Sequence, residues 1–182
     1  MSKLPILQGK NIYLRELCMN DAEGNYPNWF NDPEVTRYNS HGESTYSKEM
    51  AKEYIQMVTN SNTHRVFAVV ETSTQKHIGN IALQAINTKA HNAEFAILIG
   101  EPSVYGKGLG EEAGKLLLEH GFADLGLHRI YCGTSSNNLG MQRLAIKLGM
   151  KQEGLRRDGL LKNGEFADIV EYGILEDEYT KN

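Results

Sequence analysis

The chain has 182 residues, 40% hydrophobic and 23% charged, with a formal net charge of −4. That is the composition of an ordinary globular chain, long enough for one domain with a substantial core, and its acidic balance gives no support for a general nucleic-acid binder. Two cysteines, Cys18 and Cys132, make no zinc-like pattern with the six histidines and are too few for a disulfide framework, so no metal is expected.

No stretch approaches the ~20 apolar residues needed to cross a bilayer. The start, MSKLPILQGKNIYLREL, has no signal-peptide layout. The expectation is a cytoplasmic protein with no membrane partner. In chain order, NIYLREL (11–17) alternates as a first strand does. Asn20 with Glu23 reads as a helix cap, and Asp32 before Pro33 as a second cap with proline at the first helical position. Ser47 caps a helix whose buried face carries Met50, Ala51, Tyr54, Ile55 and Val58. RVFAVVE and HIGNIALQAI, split by the polar TSTQK, predict a hairpin. NAEFAILIG is an apolar strand covered on both faces.

A glycine loop and a helix striped by Ala113, Leu116, Leu117 and His120 come next. HRIYCGTS is a short strand. A helix over 139–148 has Met141, Leu144, Ala145 and Leu148 as its stripe and Gly149 at its left-handed end. Asn-Gly inside LLKNGEFADIVEYGIL marks a final hairpin. The order predicts one α/β (α+β) domain over residues 1–182: a mixed, mostly antiparallel central sheet flanked by helices, with a C-terminal hairpin.

The loop SVYGKGLGEEA carries Gly106, Gly108 and Gly110 at the entry to a helix. Bare backbone followed by the unpartnered amides of a first helical turn makes an anion site. It is not a Walker loop, because Lys107 is followed by Gly108 rather than Ser or Thr. It is not a dinucleotide fingerprint either: the spacing is G-x-G-x-G, far from the first strand. Taken alone, the loop also fits a helix entry made flexible for packing.

VYGKGLGEEA, YCGTSSNNLGMQRLAIKLGMKQEG and LLKNGEFADIVEYGIL together resemble the GNAT family of acetyl-CoA-dependent N-acetyltransferases, in the branch of the ribosomal-protein alanine acetyltransferases. GxNIYLREL and WFNDPEVTRY are similar to the start of such proteins, so the resemblance spans nearly the whole chain. It implies acetyl-CoA as co-substrate. The amides of Gly106, Lys107, Gly108, Leu109, Gly110 and Glu111 would hold its pyrophosphate. Its pantetheine arm would pair with strand backbone over 95–99, including Ile97, Leu98 and Ile99, with an oxyanion donor near Leu98. Asn138 matches the residue that reaches the pantetheine, and it also reads as a plain cap. Arg143 could meet phosphate or lie on a solvated face.

The implied reaction is attack of a primary amine on the thioester. A free alkyl amine has a pKa near ~10.4, so a base must take its proton. Glu94, at the start of the strand leading to the loop, is the candidate; a structural ion pair is the competing reading, and Asp168 and Glu171 are further acids. The positions where relatives carry a thiolate acid hold Ala145 and Met141, so water or another tyrosine such as Tyr131 would serve. The segment WFNDPEVTRYNSHGEST is expected to fold as a helix–loop–helix walling the acceptor site, with Trp29, Arg37, Tyr38 and His41 as substrate contacts. His64, His77 and His91 read as solvated. A peptide N-terminus is the preferred acceptor, then an amino sugar, with a polyamine or antibiotic amine as alternatives. A non-catalytic acyl-CoA-binding module is the alternative of another class, and a homodimer is left open.

Overall fold

A computed structural model of the chain describes residues 6–179. Part of the N-terminal stretch read above for a leader therefore lies outside the described residues. Strands β1 (Leu7–Gln8), β2 (Ile12–Glu16), β3 (Arg65–Glu71), β4 (His77–Asn87), β5 (Asn92–Ile99), β6 (Arg129–Ser135), β7 (Lys151–Lys162) and β8 (Glu165–Leu175) form one sheet in the order β1-β2-β3-β4-β5-β6-β8-β7. Every pairing is antiparallel except β5 with β6. The expected mixed, mostly antiparallel sheet with a C-terminal hairpin is what forms. Asn163 and Gly164 take φ of 53° and 81°, the paired positive angles of a tight hairpin turn.

Helices α1 (Tyr26–Trp29) and α2 (Lys48–Thr59) pack on one face, while α3 (Leu109–Glu119) and α4 (Leu139–Lys147) cover the other; α5 (Glu176–Tyr179) follows β8. The period of two in β3 sorts the cores. Phe67 and Val69 face α3, whereas Val66, Ala68 and Val70 face α2. Ser47 caps α2 by accepting from the Met50 amide at 3.2 Å, as its sequence predicts. Ala51, Ile55 and Val58 are buried, and Met50 is left exposed.

Two expected helix starts differ. Residues 19–23 form a single 3₁₀ turn, and its capping carboxylate is Asp21, which accepts from the Cys18 amide at 2.8 Å. No helix follows Asp32. Its side chain accepts from Glu34 N and its carbonyl from Thr36 N, which closes one turn. The run Thr36 to Gly42 then favours turns over helix, so residues 31–40 are irregular. The expected helix–loop–helix is a short helix followed by a long loop. No helix among the described residues is long and apolar enough to cross a membrane.

Candidate active site

β5 meets β6 only over Asn92↔Arg129, Ala93↔Ile130 and Glu94↔Tyr131; from Cys132 onward β6 pairs with β8 alone. The strands part, and among the described residues no strand lies beside the β6-side edge of β5 from Phe95 to Ile99. Gly100 N donates to Ile78 O, and β4 runs in unbroken register with β5 from Gly79↔Ile99 to Gln84↔Glu94. Antiparallel alternation therefore turns the amides of residues 94, 96 and 98 into β4 and those of 95, 97 and 99 to the open edge. This corrects one expectation: the Leu98 N–H is committed to the ladder, and the amides offered to the gap belong to Ile97 and Ile99. The Ile99 carbonyl accepts from the Tyr105 hydroxyl at 2.9 Å, which pins the glycine loop to the end of β5.

Gly106 and Gly108 have φ of 75° and 80°, and a Cβ added to either would meet nothing within 4 Å. Backbone conformation, not packing, requires these glycines, and the space outside them is open. Gly108 stands at the N-cap of α3 with no side chain capping the helix. The amides of Leu109, Gly110 and Glu111 thus face outward at the positive end of the helix dipole. Lys107 is exposed. The Glu111 side chain instead pairs with Lys115 at 2.8 Å and Lys147 at 3.1 Å. Asn138 caps α4 through Oδ1, which accepts from Met141 N at 3.1 Å; only its Nδ2 remains for a ligand. Arg143 is exposed on α4. No residue of α4 carries a hydroxyl.

On the α2 face, a cavity of about 370 Å³ opens next to the parted strands. Its floor is the in-register pair Ala82↔Ala96, flanked by Asn80↔Leu98 and Gln84↔Glu94. Two alanines side by side leave the hollow. Tyr26, Phe30, Tyr46 and Tyr54 wall it, and Phe30 packs on Tyr46 at 4.6 Å and on His41 at 4.8 Å between ring centres. Burial, then the neighbouring Tyr46, raises the Tyr26 phenol above the ordinary tyrosine range. Lys162, near the β7–β8 turn, donates to the His41 carbonyl and closes the rim. Burial first and the Lys162 charge second lower the His41 pKa. No aspartate or glutamate among the described residues lines the cavity. Gln84 does, and its Nε2 donates at 3.1 Å to the half-buried carboxylate of Glu94.

His41 lines the cavity, while the three other expected contacts, Trp29, Arg37 and Tyr38, are not at its wall. Trp29 lies beneath it, 2% exposed, stacked so closely on Gly100 that any side chain there would collide, with Nε1 donating to Glu101 at 3.1 Å. The wall residue is its neighbour Phe30. Arg37 and Tyr38 contact each other outside the lining. His77 is a further correction: it is not solvated. Its Nδ1 lies 3.3 Å from Asp21 Oδ1, and its Nε2 lies 2.9 Å from Gly79 O and 2.8 Å from Asn80 Oδ1. Sequence reasoning also passed over Asn80 and Gln84. The signal was present: two amides four apart on a strand, on the face that otherwise shows only Ala82.

The match to known proteins agrees with this geometry. Residues 11–151 match the family model described as an acetyltransferase (GNAT) domain. The chain belongs to the GNAT acetyltransferase family. As a GNAT protein it is an acetyl-CoA-dependent acyltransferase. It is 31% identical over 175 residues to the uncharacterized N-acetyltransferase YoaA of Bacillus subtilis (strain 168), spanning 94% of this chain and 97% of that protein. It is 32% identical over 111 residues to spermidine N(1)-acetyltransferase of Escherichia coli (strain K12), over 61% of this chain and 59% of that one. The crystal structure of the Vibrio cholerae spermidine N-acetyltransferase in complex with CoA and spermine superimposes on this GNAT chain with a TM-score of 0.84. That match has 26% identity and covers 93% of this chain and 98% of that one.

Proposed function

We propose that the protein, a single acetyltransferase domain, moves the acetyl group of acetyl-CoA to the amino terminus of a peptide or protein. The observation that carries this reading is the lining of the cavity: four aromatic rings, amides and a histidine, with no carboxylate among the described residues. A polyamine carries several positive charges, and burying them without partners is costly. A peptide terminus brings one amine, which loses its charge before it attacks.

The open loop supports a place for the cofactor pyrophosphate on the amides of residues 106–111, with Lys107 beside it. The free edge of β5 supports pairing with the pantetheine arm through Phe95, Ile97 and Ile99. Glu94, behind Gln84, takes the amine proton through water. An α-amine has a pKa near ~7.7–8.0, so a useful fraction is already free at neutral pH. With no hydroxyl on α4, the thiolate leaves unassisted or with a proton from water; its pKa near ~8.5 makes that tolerable.

The test is CoA-thiol release with an acceptor panel of peptides, amino sugars and spermidine, products being read by mass. Acetylated peptides support the proposal. Turnover of spermidine alone overturns it and returns the protein to the acceptor named for its relatives. Acetyl-CoA binding with no turnover of any amine would make it a binding module.

A further inference from the structure

Two amides at the cavity floor, with the groups behind them, fix what its polar groups can say to a substrate. Gln84 and Asn80 are both amides, and an amide can offer either a donor or an acceptor depending on how it is turned. Here the groups behind them decide. The Glu94 carboxylate only accepts, so Gln84 must give it Nε2 and keep Oε1 for the cavity. The Gly79 carbonyl, 2.9 Å from His77 Nε2, also only accepts, so that ring nitrogen carries a hydrogen. The same hydrogen faces Asn80 Oδ1 at 2.8 Å, which leaves Asn80 the Nδ2 hydrogens for the cavity.

A bulge makes this possible. Val69 pairs with Gly79 and Val70 with His77, so Ile78 is the extra residue, and His77 and Asn80 come to share a face. Asp21, Trp29 and Tyr26 hold the ring from behind: Asp21 at 3.3 Å from Nδ1, and the two aromatic rings with centres 4.9 and 6.1 Å away.

The floor therefore offers an acceptor at Gln84 and, four residues or about 13 Å along the strand, a donor at Asn80. Between them lies the alanine hollow, ringed by Phe30, Tyr46 and Tyr54. We infer that the cavity reads an α-amino acyl group with a bulky apolar side chain. The amine hydrogen meets Gln84 Oε1, a carbonyl oxygen farther along the peptide meets Asn80 Nδ2, and the side chain fills the aromatic hollow. His77 is a positioning residue for this recognition. The inference rests on the acetyl-transfer reading above and narrows it to peptides that begin with residues such as Leu or Phe.

The test compares kcat/KM, corrected to free amine, for Phe-Gly-amide, Leu-Gly-amide, Gly-Gly-amide and 2-phenylethylamine, which keeps the ring and amine but lacks the carbonyl. The expected result is at least about tenfold preference for Phe or Leu over Gly, since each buried methylene is worth about fourfold. A preference of about fivefold is expected for Phe-Gly-amide over 2-phenylethylamine, the scale of one hydrogen bond. Asn80→Leu and His77→Phe should each erase the second preference, by lowering kcat/KM for Phe-Gly-amide toward that of 2-phenylethylamine. Equal use of Gly-Gly-amide and Phe-Gly-amide, or of Phe-Gly-amide and 2-phenylethylamine, overturns the inference but leaves acetyl transfer standing. Binding of acetyl-CoA with no amine acetylated overturns both. The wild-type comparison needs no variant to fold.

Discussion

The carboxylate of Glu112, in the first turn of α3, receives the backbone N–H of Asn11 at 2.7 Å and the Asn11 side-chain amide at 2.9 Å. It also lies 3.3 Å from the Ile12 amide. One side chain thus ties the entry of the helix behind the glycine loop to the start of β2, a hundred residues away. Burial works against its charge, but the Asn11 and Ile12 hydrogen bonds outweigh that and hold its pKa below the usual glutamate range. Glu112→Ala should cost about 1–3 kcal/mol, the scale of losing hydrogen bonds to a charged group. A folded pKa below the unfolded one means this contribution is present above the unfolded value, ~4.3, and is lost as pH falls beneath it. Urea midpoints for the two chains should differ at pH 7 and converge in acid.

Gly108 should be irreplaceable for cofactor binding while the fold survives its loss. A side chain there meets open space, so the folding cost is the left-handed backbone alone, about 1–2 kcal/mol. Acetyl-CoA should raise the melting temperature of the wild-type chain, and Gly108→Val should remove that rise. A Gly108→Val chain that still shows the full shift would place the pyrophosphate elsewhere.

Glu94→Gln keeps the shape beside Gln84 and removes the base. Turnover of a peptide substrate at pH 6.5 should fall by roughly 10²-fold. The deficit should shrink above pH ~8, where the α-amine is already free. A flat ratio across pH would make Glu94 structural.

Asp21 is the counterpart behind His77, at the back of the aromatic-walled cavity. Burial alone would raise its pKa, yet Arg15, which binds both its oxygens at 2.8 and 2.7 Å, with His77 and the Cys18 amide, drives it far below the carboxylate range. Its stabilisation is therefore present above pH ~4 and declines below it. Asp21→Asn should destabilise by about 3 kcal/mol at pH 7, the low end for breaking a buried pair, because Arg15 remains 29% exposed. Denaturation curves at pH 7 and pH 3 should show the gap narrowing.

Burial, with Glu94 nearby, pushes the Cys132 thiol up to about 12, whereas Cys18 is exposed. Iodoacetamide on the native chain should modify Cys18 alone, read by peptide mass. Alkylation of Cys132 at the same rate would show that the core beneath β6 opens readily.

Much of this was legible because local rules and fold agree. Ser47 caps where it should, Asn163-Gly164 turns where it should, and Gly106 and Gly108 announce an open loop before a helix. The misreadings share a cause, which is contact over long sequence distance. Asp32 satisfies the local rule for a helix start, but nothing packs a second helix there. Trp29 and Phe30 are neighbours in sequence, and only Gly100 decides which goes under the sheet edge. His77 looks solvated until the bulge at Ile78 turns it toward Asp21. Asn80 and Gln84 gain their meaning from Gly79 and Glu94, which no periodicity reveals.

The parting of β5 from β6 has a mechanical side. Five strands on one side and three on the other are joined through the backbone by three residue pairs, from Asn92–Arg129 to Glu94–Tyr131. Such a seam behaves as a clasp left half fastened. A molecule laid along the open edge of β5 would complete the missing stitching and stiffen both halves at once. The chain would then be most compliant at the moment its product departs.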